Sequence, residues 1–516
     1  LVLDEAHNLE SIATEYLSYE LSLPNLTRIL NRLVRRGKGR RARPGGVLSS
    51  VERQFQKGAF AGNPSGETVM RMIAEASHLT VKIVNAAEDL FDVAALLLAP
   101  AKERSVCRYK VENGVRKHSL HRLFEPYAAD EWNEAQFLKA QTDFEEQLAA
   151  MVNLLHNLRD TLDDAVPEGE LNYLADLSSQ VSGIADSLVG FANEANFVIR
   201  GEKDTHAYWV ERVRLEKRPS YLRLVAAPLS VAEDLKKMFY DVKDSVILCS
   251  ATLRVGNDFK YMARRLGCGG GDATAGQDGA RFKFLTAASP FDYFRQSLVL
   301  APDCLPDPSS DPVAYAGSLA MLIRDLFSVT NGRALVLFTS YEMMNAVAAH
   351  AHQLLADIGI TLLVQGEGLS RESMTRRLKE SVNQPQTSSL KPQTVLFGAQ
   401  SFWEGVDVAG EALSCVVLAR LPFAQVGDPV VEARSEKIDR EGGSSFRDYA
   451  LPEAVIKFRQ GFGRLVRTKS DRGVVVVTDP RLVTKNYGAT FRKSIPASVH
   501  TVTELEELLQ RVAEFF

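Results

Sequence analysis

Thr394-Val395-Leu396-Phe397-Gly398-Ala399-Gln400-Ser401-Phe402-Trp403-Glu404-Gly405-Val406-Asp407 starts as an unbroken apolar strand and ends in a polar turn. A strand without alternation is one whose two faces are both buried, and such strands belong to parallel sheets covered by helices on both sides. The neighbouring sequence repeats the unit. Strands are expected at 297–301, 334–338, 361–364, 394–397, 415–419 and 473–478, with helices near 313–328 and 341–357. From about residue 290 the chain therefore reads as a doubly wound α/β domain, in which residues just past the carboxyl ends of the strands meet ligands. In the turn after Phe397, Gly405 lets backbone approach a phosphate or ribose and Asp407 can accept a sugar hydroxyl. A tight turn around a packed Trp403 fits the same residues.

At 516 residues the chain is too long for one core, and roughly two to four domains are expected. The net charge of −4 excludes a uniformly basic nucleic-acid coat, so any nucleic-acid site must be a local groove. The densest basic stretch, Arg35, Arg36, Lys38, Arg40, Arg41 and Arg43, sits among Gly37, Gly39, Pro44 and Gly45. It reads as a solvated loop before it reads as a DNA contact. Cys107, Cys249, Cys268, Cys304 and Cys415 are scattered without a CxxC pair, which fits a reducing compartment and neither a disulfide framework nor a metal cluster. No apolar run approaches the roughly 18 residues of a membrane span, and no signal peptide is recognisable. The chain opens on Leu1-Val2-Leu3, which reads as a buried strand, so a fragment is expected.

Between about 11 and 205 the pattern is helical. Phe137, Phe144, Met151 and Leu158 recur every seven residues, and Leu148, Leu155 and Leu162 extend the seam. After Pro167-Glu168-Gly169 the pattern resumes with Leu174, Leu177, Val181, Ile184, Leu188 and Phe191. Two apolar seams joined by a short turn predict an antiparallel helical hairpin. Around 207 the texture changes to strands, expected at 208–213, 221–228 and 245–249. A Gly-rich surface loop follows, from Gly267 to Gly279.

Three further constellations carry chemistry. Leu1-Val2-Leu3-Asp4-Glu5-Ala6-His7 runs an apolar strand into two carboxylates, the form that lets Asp4 hold Mg²⁺ and Glu5 deprotonate a water. A zinc reading of His7 and Glu10 fails for want of HExxH spacing. Ser250-Ala251-Thr252 sets small hydroxyls at the end of a strand. Pro452 is expected to open a helix running to Arg467, with Val455, Phe458, Phe462 and Val466 on the core face. Gln460, Gly463, Arg464 and Arg467 fall on the other face, suited to planar contact with phosphate.

Read in order, these motifs resemble superfamily-2 helicases of the XPD/DinG branch from their motif II onward. LDEAH is similar to motif II, Ser250-Ala251-Thr252 to motif III, Leu337-Phe338-Thr339-Ser340-Tyr341 to motif IV, SFWEGVDV to motif V and QGFGRLVR to motif VI. Motifs II and III are neighbours in one domain of that family, yet here lie at residues 4 and 250. The intervening stretch takes the position of the family's arch. The resemblance implies two RecA-like, doubly wound parallel-sheet motor domains, the first incomplete, with a large helical arch insertion. The expected division is 1–10 and 206–285 for the remainder of motor domain 1, 11–205 for the insertion and 286–516 for motor domain 2.

The resemblance also implies roles. Asp4 holds Mg²⁺, Glu5 is the base, and His7, Ser250 and Thr252 couple the ligand sites. Gln460, Arg464 and Arg467 reach the γ-phosphate, and Gly405, Asp407 and Gly463 complete the nucleotide site. Thr339, Ser340, Tyr341, Gln365 and Trp403 face DNA. The implied protein is a cytoplasmic, nucleoid-associated, monomeric helicase that uses ATP and Mg²⁺ on single-stranded and forked DNA, moving 5′ to 3′. An RNA or branched-structure helicase and a non-catalytic motor remnant are the competing readings. No G-x-x-x-x-G-K-[S/T] occurs in the 516 residues, so the chain by itself is expected to hydrolyse ATP poorly. In the resembling family the P-loop lies upstream of motif II, as do the four cysteines of a 4Fe-4S cluster where one is present.

Overall fold

The computed structural model describes the chain apart from residues 36–44, 58–60, 102–104, 113–114, 121–122, 127–131, 166–172, 216–217, 257, 270–280, 384–392, 404–411 and 426. Most of the basic loop, the Pro167-Glu168-Gly169 break, most of the Gly-rich loop, Gly405 and Asp407 lie outside the described residues. In chain order the strands are β1 (Val2–Leu3), β2 (Tyr19–Ser22), β3 (Val106–Glu112), β4 (Val115–Leu120), β5 (Leu123–Pro126), β6 (His206–Leu215), β7 (Arg218–Pro228), β8 (Ile247–Leu248), β9 (Ser297–Pro302), β10 (Ala334–Phe338), β11 (Ile360–Val364), β12 (Gln393–Ala399), β13 (Cys415–Leu418), β14 (Gly473–Val477) and β15 (Val499–Val502).

The chain divides into two compact units. The first takes Leu1–Ser11, Val231–Asp428 and Arg434–Phe516. Its main sheet has seven strands in the order β11-β12-β10-β13-β14-β9-β15, all parallel. Burial on both faces explains the unbroken apolar strands. Ala334, Val336 and Phe338 of β10 point into one core with the helices Pro312–Thr330, Tyr341–Ala356 and Leu505–Phe515. Leu335 and Leu337 point into the opposite core with Leu451–Phe462 and Gly488–Ser494. The helix Pro312–Thr330 is long and apolar enough to cross a membrane, yet Tyr315, Leu319, Ile323 and Phe327 are fully buried against the sheet. It is a core helix.

The same unit holds a second, two-stranded parallel pairing of β1 with β8, Val2 opposite Ile247 and Leu3 opposite Leu248. Leu1 and Val2 are exposed here, contrary to the buried strand expected. Pairing across some 245 residues still brings LDEAH beside Ser250-Ala251-Thr252, as their shared placement in one domain requires.

The second unit takes Ile12–Ser230 with Pro429–Ala433. The helical hairpin is present, as Glu134–Asp164 and Tyr173–Arg200, and every residue of both predicted seams is buried. A third long helix, Gly66–Ala95, packs on the first, making a layer rather than a two-helix coil. The stretch expected to be overwhelmingly helical also contributes β2, β3, β4 and β5, which join the expected β6 and β7 in a six-stranded antiparallel sheet, β2-β7-β6-β3-β4-β5. The strands β6 and β7 belong to it, so the structure draws the boundary at Ser230/Val231 rather than near 205. The physical difference is visible in β6, whose Glu211, Arg212 and Arg214 set it apart from the uncharged apolar strands of the first unit's main sheet.

Candidate functional site

At the carboxyl end of β1 the backbone turns sharply. Glu5 adopts a left-handed conformation (φ 49°, ψ 41°), which costs a non-glycine residue about 1–3 kcal/mol. The turn is held by the Ala6 amide on the Cys249 carbonyl at 3.0 Å and by the Glu5 amide on its neighbour's Asp4 Oδ1 at 2.9 Å. Asp4 and Glu5 are left facing solvent, while Ala6 and the His7 ring are buried.

Ser250, at the end of β8, is the hub of the polar site. Its hydroxyl donates to Glu5 Oε2 at 3.3 Å and accepts from the Thr252 amide at 3.2 Å. His7 Nδ1 lies 2.7 Å from Ser250 Oγ and 3.3 Å from Glu5 Oε2. On the other edge of the imidazole, the Gln460 side-chain amide donates to Nε2. With that donor on Nε2, the ring proton sits on Nδ1 and serves Ser250 and Glu5. Four residues from three separate motifs thus form one hydrogen-bonded chain, Glu5–Ser250–His7–Gln460. Thr252 is buried beside it, 3.3 Å from Ser250 through its hydroxyl.

The helix carrying Gln460 is shorter than expected. It spans Leu451–Phe462 and stops at Gly463, so Gly463, Arg464 and Arg467 do not extend the Gln460 face. Asp471 causes the departure. Its Oδ2 accepts the Arg467 and Thr468 amides at 2.8 and 2.9 Å, pulling the chain away from the helix axis while Leu465 and Val466 bury. Arg464 Nη2 donates to the Trp403 carbonyl at 2.8 Å. Trp403 itself, 4% exposed, donates its indole N–H to the Phe338 carbonyl at 2.8 Å. Its rings also meet Gly461 so closely that a Cβ there would lie 2.9 Å from Cζ3. Placing Trp403 against DNA is therefore corrected: it is the packed Trp of a tight turn, and no base can stack on a buried face.

The remaining predicted DNA contacts gather at the carboxyl edge of β10, β11 and β12. Ser340 caps the helix Tyr341–Ala356, accepting the Met343 amide at 3.3 Å, and the Thr339 carbonyl accepts from Gln425 at 2.7 Å. Gln365 spans three strand ends, donating to Tyr341 Oη at 2.6 Å and Ser401 Oγ at 3.1 Å and accepting the Ala399 amide at 2.8 Å. Tyr341 is 44% exposed.

Two features escaped sequence reading. Arg459, beside Gln460, donates to the carbonyls of Arg254 and Ala251 at 2.5 and 2.9 Å. Burial and the nearby Arg254 charge hold its pKa below the usual arginine value. Its signal was a charged residue between Phe458 and Gln460, one step off the face assigned to ligand. The second is a buried cluster around Glu10, whose carboxylate pairs with Arg265 and, at 3.2 Å, with Arg434. Burial pushes the Glu10 carboxyl up, and the two guanidiniums pull it back. Arg265 also lies over the Tyr449 ring, 4.7 Å from its centroid. Among the described residues no group of three or more His, Cys, Asp or Glu side chains is arranged to hold a metal. Asp4 and Glu5, exposed hard oxygen donors, suit Mg²⁺ held mainly through water and phosphate oxygens.

Residues 323–498 match the helicase C-terminal domain family. The ATP-dependent DNA helicase YoaA of Haemophilus influenzae is 37% identical over 55% of this chain and 40% of its own length, and that of Escherichia coli 36% identical over 57% and 42%. A Bacillus subtilis protein named 3′-5′ exonuclease DinG is 26% identical over 98% of this chain and 50% of its own length. The chain thus spans 40–50% of the length of these curated relatives. Residues 323–498 thus carry a helicase C-terminal domain, and along its length the chain is similar to proteins named YoaA and DinG.

Proposed function

We propose that the native protein is an ATP-dependent DNA helicase that translocates on single-stranded DNA and unwinds duplex, 5′ to 3′ as the resemblance of its motifs to the XPD/DinG branch implies. The observation that carries this reading is the chain Glu5–Ser250–His7–Gln460, which joins the LDEAH carboxylates to the QGFGRLVR helix. Residues 1–11 and 231–285 are then what this chain holds of the first motor domain, and 286–428 with 434–516 the second.

Asp4 presents its carboxylate for Mg²⁺, which with ATP supplies a neutralised, transferable γ-phosphoryl group. Glu5 accepts the proton of the attacking water, whose oxygen bonds to the γ-phosphorus as the bridging oxygen leaves with ADP. The αL turn at Glu5 aims that carboxylate, and Ser250 holds one of its oxygens so that the other faces the water. Arg464 and Arg467 bind the γ-phosphate, Arg464 turning from the Trp403 carbonyl to do so. Gly405 and Asp407 hold the nucleotide sugar. Loss of the γ-phosphate releases Arg464 and Arg467, and His7 and Gln460 carry the change between the two motor domains. Tyr341, Gln365 and Ser401 form the rim that takes DNA, with Thr339 and Ser340 beside them at the phosphates. The reading takes the protein to work as a monomer.

The test is unwinding of duplexes with a 5′ or a 3′ single-stranded tail by the native gene product. ATP-dependent unwinding of the 5′-tailed duplex is expected. Unwinding of RNA duplexes alone moves the reading to an RNA helicase, and tight DNA binding with no strand separation moves it to a binding scaffold.

A further inference from the structure

Among the described residues the helix Leu451–Phe462 reaches the LDEAH side of the first unit through Gln460 on His7, through Glu453 on Tyr261 and Arg265, and through Arg459. Arg459 Nη1 donates to the Arg254 carbonyl at 2.5 Å and its Nη2 to the Ala251 carbonyl at 2.9 Å. These two acceptors are three residues apart and bracket the turn that follows Ser250. A planar guanidinium can satisfy two such divergent acceptors at once, which a single ammonium on a flexible stem does not do with the same geometry.

The placement is costly for a cation. The Arg459 hydrogen bonds go to backbone carbonyls rather than to a carboxylate, the group is half-buried, and the Arg254 charge stands beside it. A surface arginine kept for solubility would gain nothing here. What the arrangement does hold is the turn at Ala251–Arg254, and with it the two residues that frame the polar hub. Thr252 inside that turn is buried and gives its amide to Ser250 Oγ at 3.2 Å. Ser250 Oγ in turn meets His7 Nδ1 at 2.7 Å and Glu5 Oε2 at 3.3 Å. A guanidinium on one helix thus sets, through one turn, the position of the hydroxyl that orients Glu5.

We propose that Arg459 is a positioning residue of the hydrolytic site: by bracing the Ala251–Arg254 turn it holds Ser250 at Glu5 and His7. The proposal rests on the reading of the site as an ATPase. It places Arg459 outside the phosphate-binding set, with no contact to nucleotide, and makes it act only through Ser250. Its loss therefore lowers turnover and leaves nucleotide affinity in place.

The experiment uses the native gene product with saturating single-stranded DNA, and compares Arg459→Ala, Arg459→Lys, Ser250→Ala and the double variants, with Glu5→Gln as reference. A displacement near 1 Å at a reacting group lowers rates by about ten- to a hundredfold. Arg459→Ala is expected to lower kcat for ATP by that factor with KM and the affinity for a fluorescent ATP analogue held within about threefold. Arg459→Lys keeps the charge and loses the fork, and falls between Ala and wild type. The decisive readout is coupling. Adding Arg459→Ala or Arg459→Lys to Ser250→Ala is expected to cost nothing more, because both act on one group.

Losses that multiply in the double variants, or a Lys variant as fast as wild type, overturn the proposal. The Lys series decides the matter if Arg459→Ala does not fold. A Glu5→Gln protein that turns over normally overturns the ATPase reading itself. A dead Glu5→Gln protein beside a fully active Arg459→Ala overturns only the role of Arg459.

Discussion

Trp403→Ala separates two roles for the same side chain. In the structure the indole is 4% exposed, its N–H is spent on the Phe338 carbonyl at 2.8 Å, and its rings lie against Gly461. Truncating a buried Trp to Ala costs about 3–5 kcal/mol, from lost burial and the cavity left behind. For a unit of this size roughly 2–4 °C of melting temperature goes with each kcal/mol, so the transition of the first unit falls by about 6–20 °C. Trp403→Phe keeps most of the ring and orphans the Phe338 carbonyl, a loss of about 1–3 kcal/mol. Thermal unfolding followed by circular dichroism reads both. Single-stranded-DNA affinity of the folded Phe variant, read by fluorescence anisotropy, is expected to match wild type. A stacking platform behaves the opposite way, with stability untouched by Trp403→Ala and about 1–3 kcal/mol of DNA affinity lost. That outcome would refute the core assignment.

Other substitutions probe the same architecture. Gly461→Ala places a Cβ 2.9 Å from Trp403 Cζ3 and 3.2 Å from Leu418 Cδ2, so overpacking should destabilise by about 1–3 kcal/mol in denaturant unfolding; an unchanged midpoint contradicts this. Glu10→Ala removes the carboxylate facing the buried Arg265 and Arg434 guanidiniums, an expected loss of about 3–5 kcal/mol in the same assay, and a variant as stable as wild type removes the cluster from the stabilising contacts. Gln460→Ala takes the hydrogen bond from His7 Nε2, and is expected to lower DNA-stimulated turnover with little change in the KM for ATP; a shift confined to KM would make Gln460 a simple nucleotide contact.

Six strands of the seven-stranded sheet were legible because burial on both faces writes itself as uninterrupted apolar residues; the edge strand β15, with His500 and Thr501 exposed, was not. The two seams of the hairpin helices were legible for the related reason that a helix facing a core repeats its apolar residues. The antiparallel sheet of the second unit was not. Its strands β3 and β4 carry Arg108, Lys110, Glu112, Arg116 and Lys117, and such strands resemble exposed loops until their partners are known. The dipeptide Asn113-Gly114 between them was the usable hairpin signal. At the site, LDEAH, Ser250 and Gln460 converge as their order implied. The early end of the Gln460 helix depends on Asp471, four residues past Arg467, and helical periodicity carries no information about such an anchor. Trp403 shows the same limit from the other side, since a large aromatic beside a ligand motif looks alike whether it packs or stacks. Arg459 was passed over because its partners are backbone carbonyls some 200 residues away, and carbonyls leave no mark in a sequence.

The most direct measurement is ATP hydrolysis by the native gene product, with and without single-stranded DNA, beside its Glu5→Gln variant. DNA is expected to stimulate turnover, and Glu5→Gln to abolish it by about 10²–10⁴-fold while ATP binding persists. Equal turnover by the two proteins, or hydrolysis indifferent to DNA, would contradict a DNA motor with Glu5 as its base.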